Sequence, residues 1–102
     1  MIPEVARHQV ELERLCRRYH VLRLDLFGSA AAGTFRPNES DLDFLVEFQP
    51  LPSGAYADTF FGLLEDLERL FGRRVDLVVD SAITNPYLRQ SVEQIKARLY
   101  AA

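Results

Sequence analysis

Cysteine is almost absent. Cys16 is the only one in 102 residues, so no internal disulfide can form and a reducing cytoplasm is the expected setting. Cys16 falls on an apolar helical face and reads as a small buried hydrophobe rather than a reactive thiol. No apolar run approaches the ~20 residues of a membrane span. The start, Met-Ile-Pro-Glu-Val-Ala-Arg-His, lacks the charged-then-apolar layout of a secretory signal. Histidine is scarce too. His8 and His20 have no short spacing to one another or to a cysteine, which argues against a zinc site and for surface or capping roles. Basic charge is thin: the net charge is -3, and Arg17-Arg18 and Arg73-Arg74 are pairs that read as solvated helix ends. A protein that grips long nucleic acid needs a basic face, and none is evident. A nucleotide, a small molecule or a protein remains as the acceptor of any group this chain transfers.

What is present is the composition of an ordinary globule, 48% apolar and 26% charged, with no internal repeat, low-complexity tract or linker. The length suits one domain over residues 1–102, with one core. Pro3 to about Tyr19 reads as a helix, with proline in its first turn and Val5, Leu12, Leu15, Cys16 and Tyr19 at helical spacing. Val21 to Phe27 is a strand whose alternate positions Leu22, Leu24 and Leu26 face a core. Asp25 takes its opposite face, either joining an acidic site or standing as a polar residue on a half-covered strand, and it is left out of the metal set. Asp41 to Phe48 is a second strand, with Leu42, Phe44, Val46 and Phe48 inward. Gln49 to Gly54 connects it to a helix over about Ala55 to Phe71, stopped by Gly72. The helical spacing of Tyr56, Phe60 and Phe61 favours core packing over a platform for base stacking.

Arg74 to Asp80 is a third strand, with Val75, Leu77 and Val79 inward and Asp80 starting the turn beyond. A last helix opens with Asn85 as N-cap and Pro86 in its first turn, carrying Leu88, Val92, Ile95 and Leu99 as a stripe that covers the sheet or meets a partner. The order helix, strand, strand, helix, strand, helix implies an α/β (α+β) fold: a small mixed β-sheet with helices packed mainly on one face.

The chemistry concentrates between Leu22 and Glu47, LRLDLFGSAAAGTFRPNESDLDFLVE. Asp41 and Asp43 project from one strand face, where two carboxylates repel and folding gains nothing. A divalent cation removes that repulsion, and Mg2+ favours a few carboxylates together with phosphate oxygens. Gly28-Ser29, closing the preceding strand, lets backbone N–H groups and a hydroxyl approach those oxygens closely. Ala30, Ala31 and Ala32 favour a helical turn there, ended by Gly33. This pattern is a metal-and-phosphate site.

Gly28-Ser29, Gly33 and then Ser40-Asp41-Leu42-Asp43 resemble the signature of the DNA polymerase beta-type nucleotidyltransferase superfamily. The run Ser40 to Phe48 and the tail Asn85-Pro86-Tyr87-Leu88-Arg89 resemble its minimal branch, the MNT antitoxins paired with HEPN-domain ribonuclease toxins. The resemblance spans about Val21 to Tyr100. It implies that Asp41, Asp43 and, from the later strand, Asp76 are the catalytic and metal-holding carboxylates, with two Mg2+ ions. It implies that Gly28 and Ser29 bind the phosphates of ATP, and that Asp76 takes the proton of the acceptor hydroxyl. Many members carry a basic residue directly after Gly-Ser, where this chain has Ala30; Arg36 is a candidate replacement, with a solvated loop arginine as the alternative. The activity implied is transfer of AMP from ATP to a tyrosine of a cognate HEPN toxin, blocking its RNA cleavage by added bulk and charge. Two other readings stand beside it: a stoichiometric antitoxin with an idle site, and a small-molecule nucleotidyltransferase, which usually needs a second substrate-binding domain.

Overall fold

The computed structural model describes residues 2–36 and 40–102. Pro3–Arg7 (α1) and Gln9–Arg18 (α2) lead into Val21–Phe27 (β1) and a short helix, Gly28–Ala32 (α3). Leu42–Phe48 (β2), Tyr56–Phe71 (α4) and Val75–Val79 (β3) follow. A 3-10 turn at Asp80–Ala82, then Pro86–Ile95 (α5) and Ala97–Ala101 (β4), complete the order. The sheet runs β3-β2-β1-β4. β2 pairs with β3 in parallel, and β1 pairs antiparallel with both β2 and β4.

The main core lies between the sheet and α1, α2 and α4. Leu24 and Leu26 of β1, Phe44 and Val46 of β2, Leu12 and Cys16 of α2, and Leu63 and Leu67 of α4 are fully buried there. Burial pushes the Cys16 thiol up to about 12, as a packed, unreactive sulfur requires. Gly72, at φ 63, ends α4 in a left-handed cap whose N–H donates to the Glu68 carbonyl at 2.8 Å. Among the described residues, no helix is long and apolar enough to cross a membrane.

Three expectations need correction. The first helix is not continuous, because His8 leaves helical geometry at φ -104, ψ 19 while its Nδ1 lies 2.8 Å from the Glu4 carbonyl oxygen. His8 also packs edge-on against Phe71, with ring centroids 5.2 Å apart, so its role is packing and capping. The final helix stops at Ile95, and Leu99 belongs to a fourth strand. A four-residue step from Ile95 to Leu99 fits a helix as well as a break. The extended backbone of Lys96, at φ -63 and ψ 146, and pairing with β1 decide for the break. Third, Tyr56 and Phe61 are not core: they are 48% and 56% exposed, while Phe60 is half-buried. The second sheet face is partly covered, within the expectation for the last helix's stripe. Val92 of α5 packs with Leu45 and Ile83, flanked by Phe27 and Val78, whereas Leu88 and Ile95 stay exposed. The stripe thus divides between sheet and solvent.

β4 also explains Asp25. This carboxylate is 4% exposed and accepts from Arg98 Nε at 2.5 Å, with Lys96 Nζ 3.7 Å from its other oxygen. A buried charge without partners is costly, and Arg98 of the edge strand and Lys96 just before it supply two. Arg98→Ala leaves only the longer Lys96 contact. Since Arg98 is itself half-exposed, we expect a loss of about 2 kcal/mol, read as a lower midpoint in urea unfolding.

Candidate functional site

β1 and β2 bring the two halves of the central stretch together. Their register places Phe27 opposite Asp43, so the Gly28-Ser29 turn emerges beside that carboxylate. Gly28 adopts φ +65, and a Cβ built on it would lie 2.1 Å from Asp43 Oδ2. Only glycine allows a carboxylate to rest directly against the main chain at this turn. Ser29 and the three alanines form α3 as expected, and Gly33, at φ 84, terminates it.

On the other side of β2, the parallel register pairs Asp43 with Asp76 of β3. Paired residues on adjacent strands lie about 5 Å apart and project to the same face. Asp41, exposed, immediately precedes β2, two positions before Asp43 and on the same side. Asp76 is likewise exposed, while Asp43 is half-buried between its neighbours. Burial, followed by the charges of Asp76 and Asp41, raises the Asp43 carboxyl to about 6. The electrostatics therefore agree with the register: Asp43 feels both Asp76 and Asp41.

Among the described residues, no three His, Cys, Asp or Glu side chains form a ready-made metal cage. The donor set nevertheless suits Mg2+, which uses one or two carboxylates, waters and substrate phosphates rather than an all-protein cage. The raised carboxyl of Asp43 and the close approach at Gly28 are the marks of that fit. Arg36 is exposed beside this site; its main-chain N–H donates to Ser40 Oγ at 3.1 Å and its carbonyl accepts from Ser40 N–H at 2.8 Å.

The chain is similar to known proteins along most of its length. Residues 11–99 match the model of the nucleotidyltransferase domain family. The chain belongs to that family. Its fold is that of a nucleotidyltransferase, an enzyme whose substrate is a nucleotide. A candidate protein adenylyltransferase of Methanocaldococcus jannaschii is 36% identical over 93 residues, 91% of this chain and 89% of that one. The protein adenylyltransferase MntA of Thermococcus cleftensis is 34% identical over 88 residues, 86% of this chain and 82% of that one. Among solved structures, the complex of a tri-AMPylated Shewanella oneidensis HEPN toxin with its MNT antitoxin has a chain matching at a TM-score of 0.64. That match has 20% identity over 96% of this chain and 73% of the other, and it shows a shared fold.

The nucleotidyltransferase has features that its sequence concealed. Arg89, within the tail that resembles MNT antitoxins, locks α5 onto the turn after β3. Its guanidinium donates to Asp80 Oδ1 at 2.8 Å, to the Asp80 carbonyl at 2.5 Å and to the Ile83 carbonyl at 3.1 Å. Arg73, read as a solvated helix end, has only 21% of its side chain exposed and lies against Phe35, Ser40 and Glu4. Arginine is usually solvated unless partners satisfy its fork, and those partners come from segments far apart in sequence. A cleft of about 440 Å3 lies at the far ends of β2 and β3, away from Asp43, and is lined by Glu47, Phe48, Tyr56 and Asp80 among others. Its carboxylates are already paired, Glu47 with Arg23 and Asp80 with Arg89.

Proposed function

We propose that this nucleotidyltransferase is a cytoplasmic antitoxin that transfers AMP from ATP to a tyrosine hydroxyl of a cognate HEPN toxin, releasing pyrophosphate. The single observation that carries the proposal is the pairing of Asp43 with Asp76 across β2 and β3, beside the Gly28 turn. Its support also includes likeness to MntA of Thermococcus cleftensis and to the MNT–HEPN complex of Shewanella oneidensis. In this reading residues 1–102 act as one minimal domain whose acceptor is presented by a partner.

Asp41, Asp43 and Asp76 would hold the Mg2+ ions. When bound, two such ions offset charge on both the entering and the leaving oxygens of phosphoryl transfer. The chain's own groups do the rest. Gly28 and Ser29 offer main-chain N–H groups and a hydroxyl to the β- and γ-phosphates, with no side chain at Gly28 to hold them off. Asp76, the exposed acid, accepts the acceptor's proton as the tyrosine oxygen bonds to the α-phosphorus and the bond to pyrophosphate breaks. Asp43, whose carboxyl is raised to about 6, is ionised at neutral pH only at the expense of repulsion from Asp41 and Asp76, which a cation removes.

The test is intact-mass spectrometry of the toxin after co-expression with this protein and with its Asp41→Ala/Asp43→Ala form. One or more AMP units, added only by the unaltered protein, is the expected result. An unmodified toxin, neutralised equally by both forms, would make the chain a stoichiometric antitoxin.

A further inference from the structure

The two strands that carry the acids enter the sheet side by side, and one side chain ties their entrances together. Arg73 lies two residues before β3. One of its terminal nitrogens donates to the Ser40 carbonyl at 3.3 Å, and the other lies 3.2 Å from Glu4 Oε1 of α1. Its guanidinium carbon sits 5.0 Å from the centre of the Phe35 ring. Ser40 adjoins Asp41, and the Leu42 N–H donates to the Arg74 carbonyl at 3.3 Å. Phe35 and Ser40 both lie in the connection between α3 and β2, so a single guanidinium contacts two points of it and ties them to Glu4 of α1. Its Nε is buried without a partner among the described residues, a cost the fold accepts while keeping arginine there.

We propose that Arg73 is a positioning residue: by clamping Phe35 and Ser40 it sets where Asp41 stands relative to Asp43 and Asp76. The inference rests on reading those three acids as the Mg-nucleotide site. A planar fork can bond a carbonyl and a carboxylate while its face covers an aromatic ring, and an ammonium cannot do all three. Residues that orient metal ligands from behind typically cost 10–100-fold in metal affinity or activity when replaced, and Arg73→Met falls in the lower part of that range, about tenfold.

Two measurements on the full-length protein test this. In Arg73→Met, amide hydrogen exchange at Ser40 and Leu42 should accelerate selectively, while exchange in α4 stays as in the unaltered protein. The Mg2+ concentration needed for half-maximal binding of a non-hydrolysable ATP analogue should rise about tenfold. Arg73→Lys should recover part of that loss. Phe35→Ala combined with Arg73→Met should add little beyond Arg73→Met, since both remove one clamp. Unchanged exchange at Ser40 and Leu42, or an unchanged Mg2+ requirement despite faster exchange, overturns the role. General destabilisation is read from Arg73→Lys, where an unshifted Mg2+ requirement at a lowered Tm makes Arg73 merely structural and overturns it too. Failure of the unaltered protein to bind the analogue with Mg2+ would instead strike the acidic site itself.

Discussion

Asp43→Asn is expected to abolish AMP transfer while making the metal-free protein more stable. The carboxyl is raised from 3.8 to about 6 in the fold, by burial and then by Asp76 and Asp41. The folded state therefore binds this proton more tightly than the unfolded chain does. The destabilisation is absent below the unfolded value, grows as pH rises from 3.8, and is complete above about 6. At pH 7 the native enzyme carries this repulsion in full. An amide of the same shape removes it. After discounting for solvent screening, we expect a gain of about 1 kcal/mol, and a Tm about 5 °C higher in the absence of divalent ions. Activity should fall by at least about a hundredfold, since a direct ligand is worth no less than the groups that orient it. Added Mg2+ should raise the Tm of the unaltered protein and leave that of Asp43→Asn nearly unmoved. Thermal scans with and without the ion check both halves. An equal response to Mg2+ in the two proteins would remove Asp43 from the site.

Gly28→Ala should damage both stability and chemistry. At φ +65 any residue with a Cβ incurs about 1–2 kcal/mol of backbone strain. The new methyl would also stand 2.1 Å from Asp43 Oδ2, which must move aside. Displacement of Asp43 withdraws the carboxylate at the centre of the acidic row, and the methyl obstructs the turn offered to phosphate. We expect the Tm to fall by several degrees, about 4–8 °C for each kcal/mol lost. Nucleotide binding should weaken at the same time. Urea unfolding and analogue binding, measured on the same sample, separate the two effects. A Gly28→Ala protein that unfolds earlier but binds nucleotide normally would show that the turn does not touch the substrate.

Legibility in the sequence varied with how local the signal was. β1, β2, α4 and the Asn85–Pro86 helix start were readable because each has its own period or cap. Asn85 Oδ1 does accept from the Tyr87 and Leu88 N–H groups, at 2.9 and 3.1 Å. β4 was not readable, since five residues hold too little alternation to outweigh the helical spacing that precedes them. Missing that strand hid the reason for Asp25, whose partners follow it by more than seventy positions. Arg73 was misjudged for the same cause: its partners, Glu4, Phe35 and Ser40, lie on α1 and on the connection between α3 and β2.

Chain chemistry by itself determined the central features of this nucleotidyltransferase: which acids stand two apart on a strand, where glycine must sit, and which faces are apolar. These follow from alternation and backbone sterics, which act over a few residues. Tertiary structure alone decided that Asp76 stands beside Asp43, that Asp25 is neutralised by an edge strand, and that Arg73 spans the entrances to β2 and β3. Those depend on strand register and on which segments pack together, and register is set by the whole buried sheet rather than by any one stretch of it.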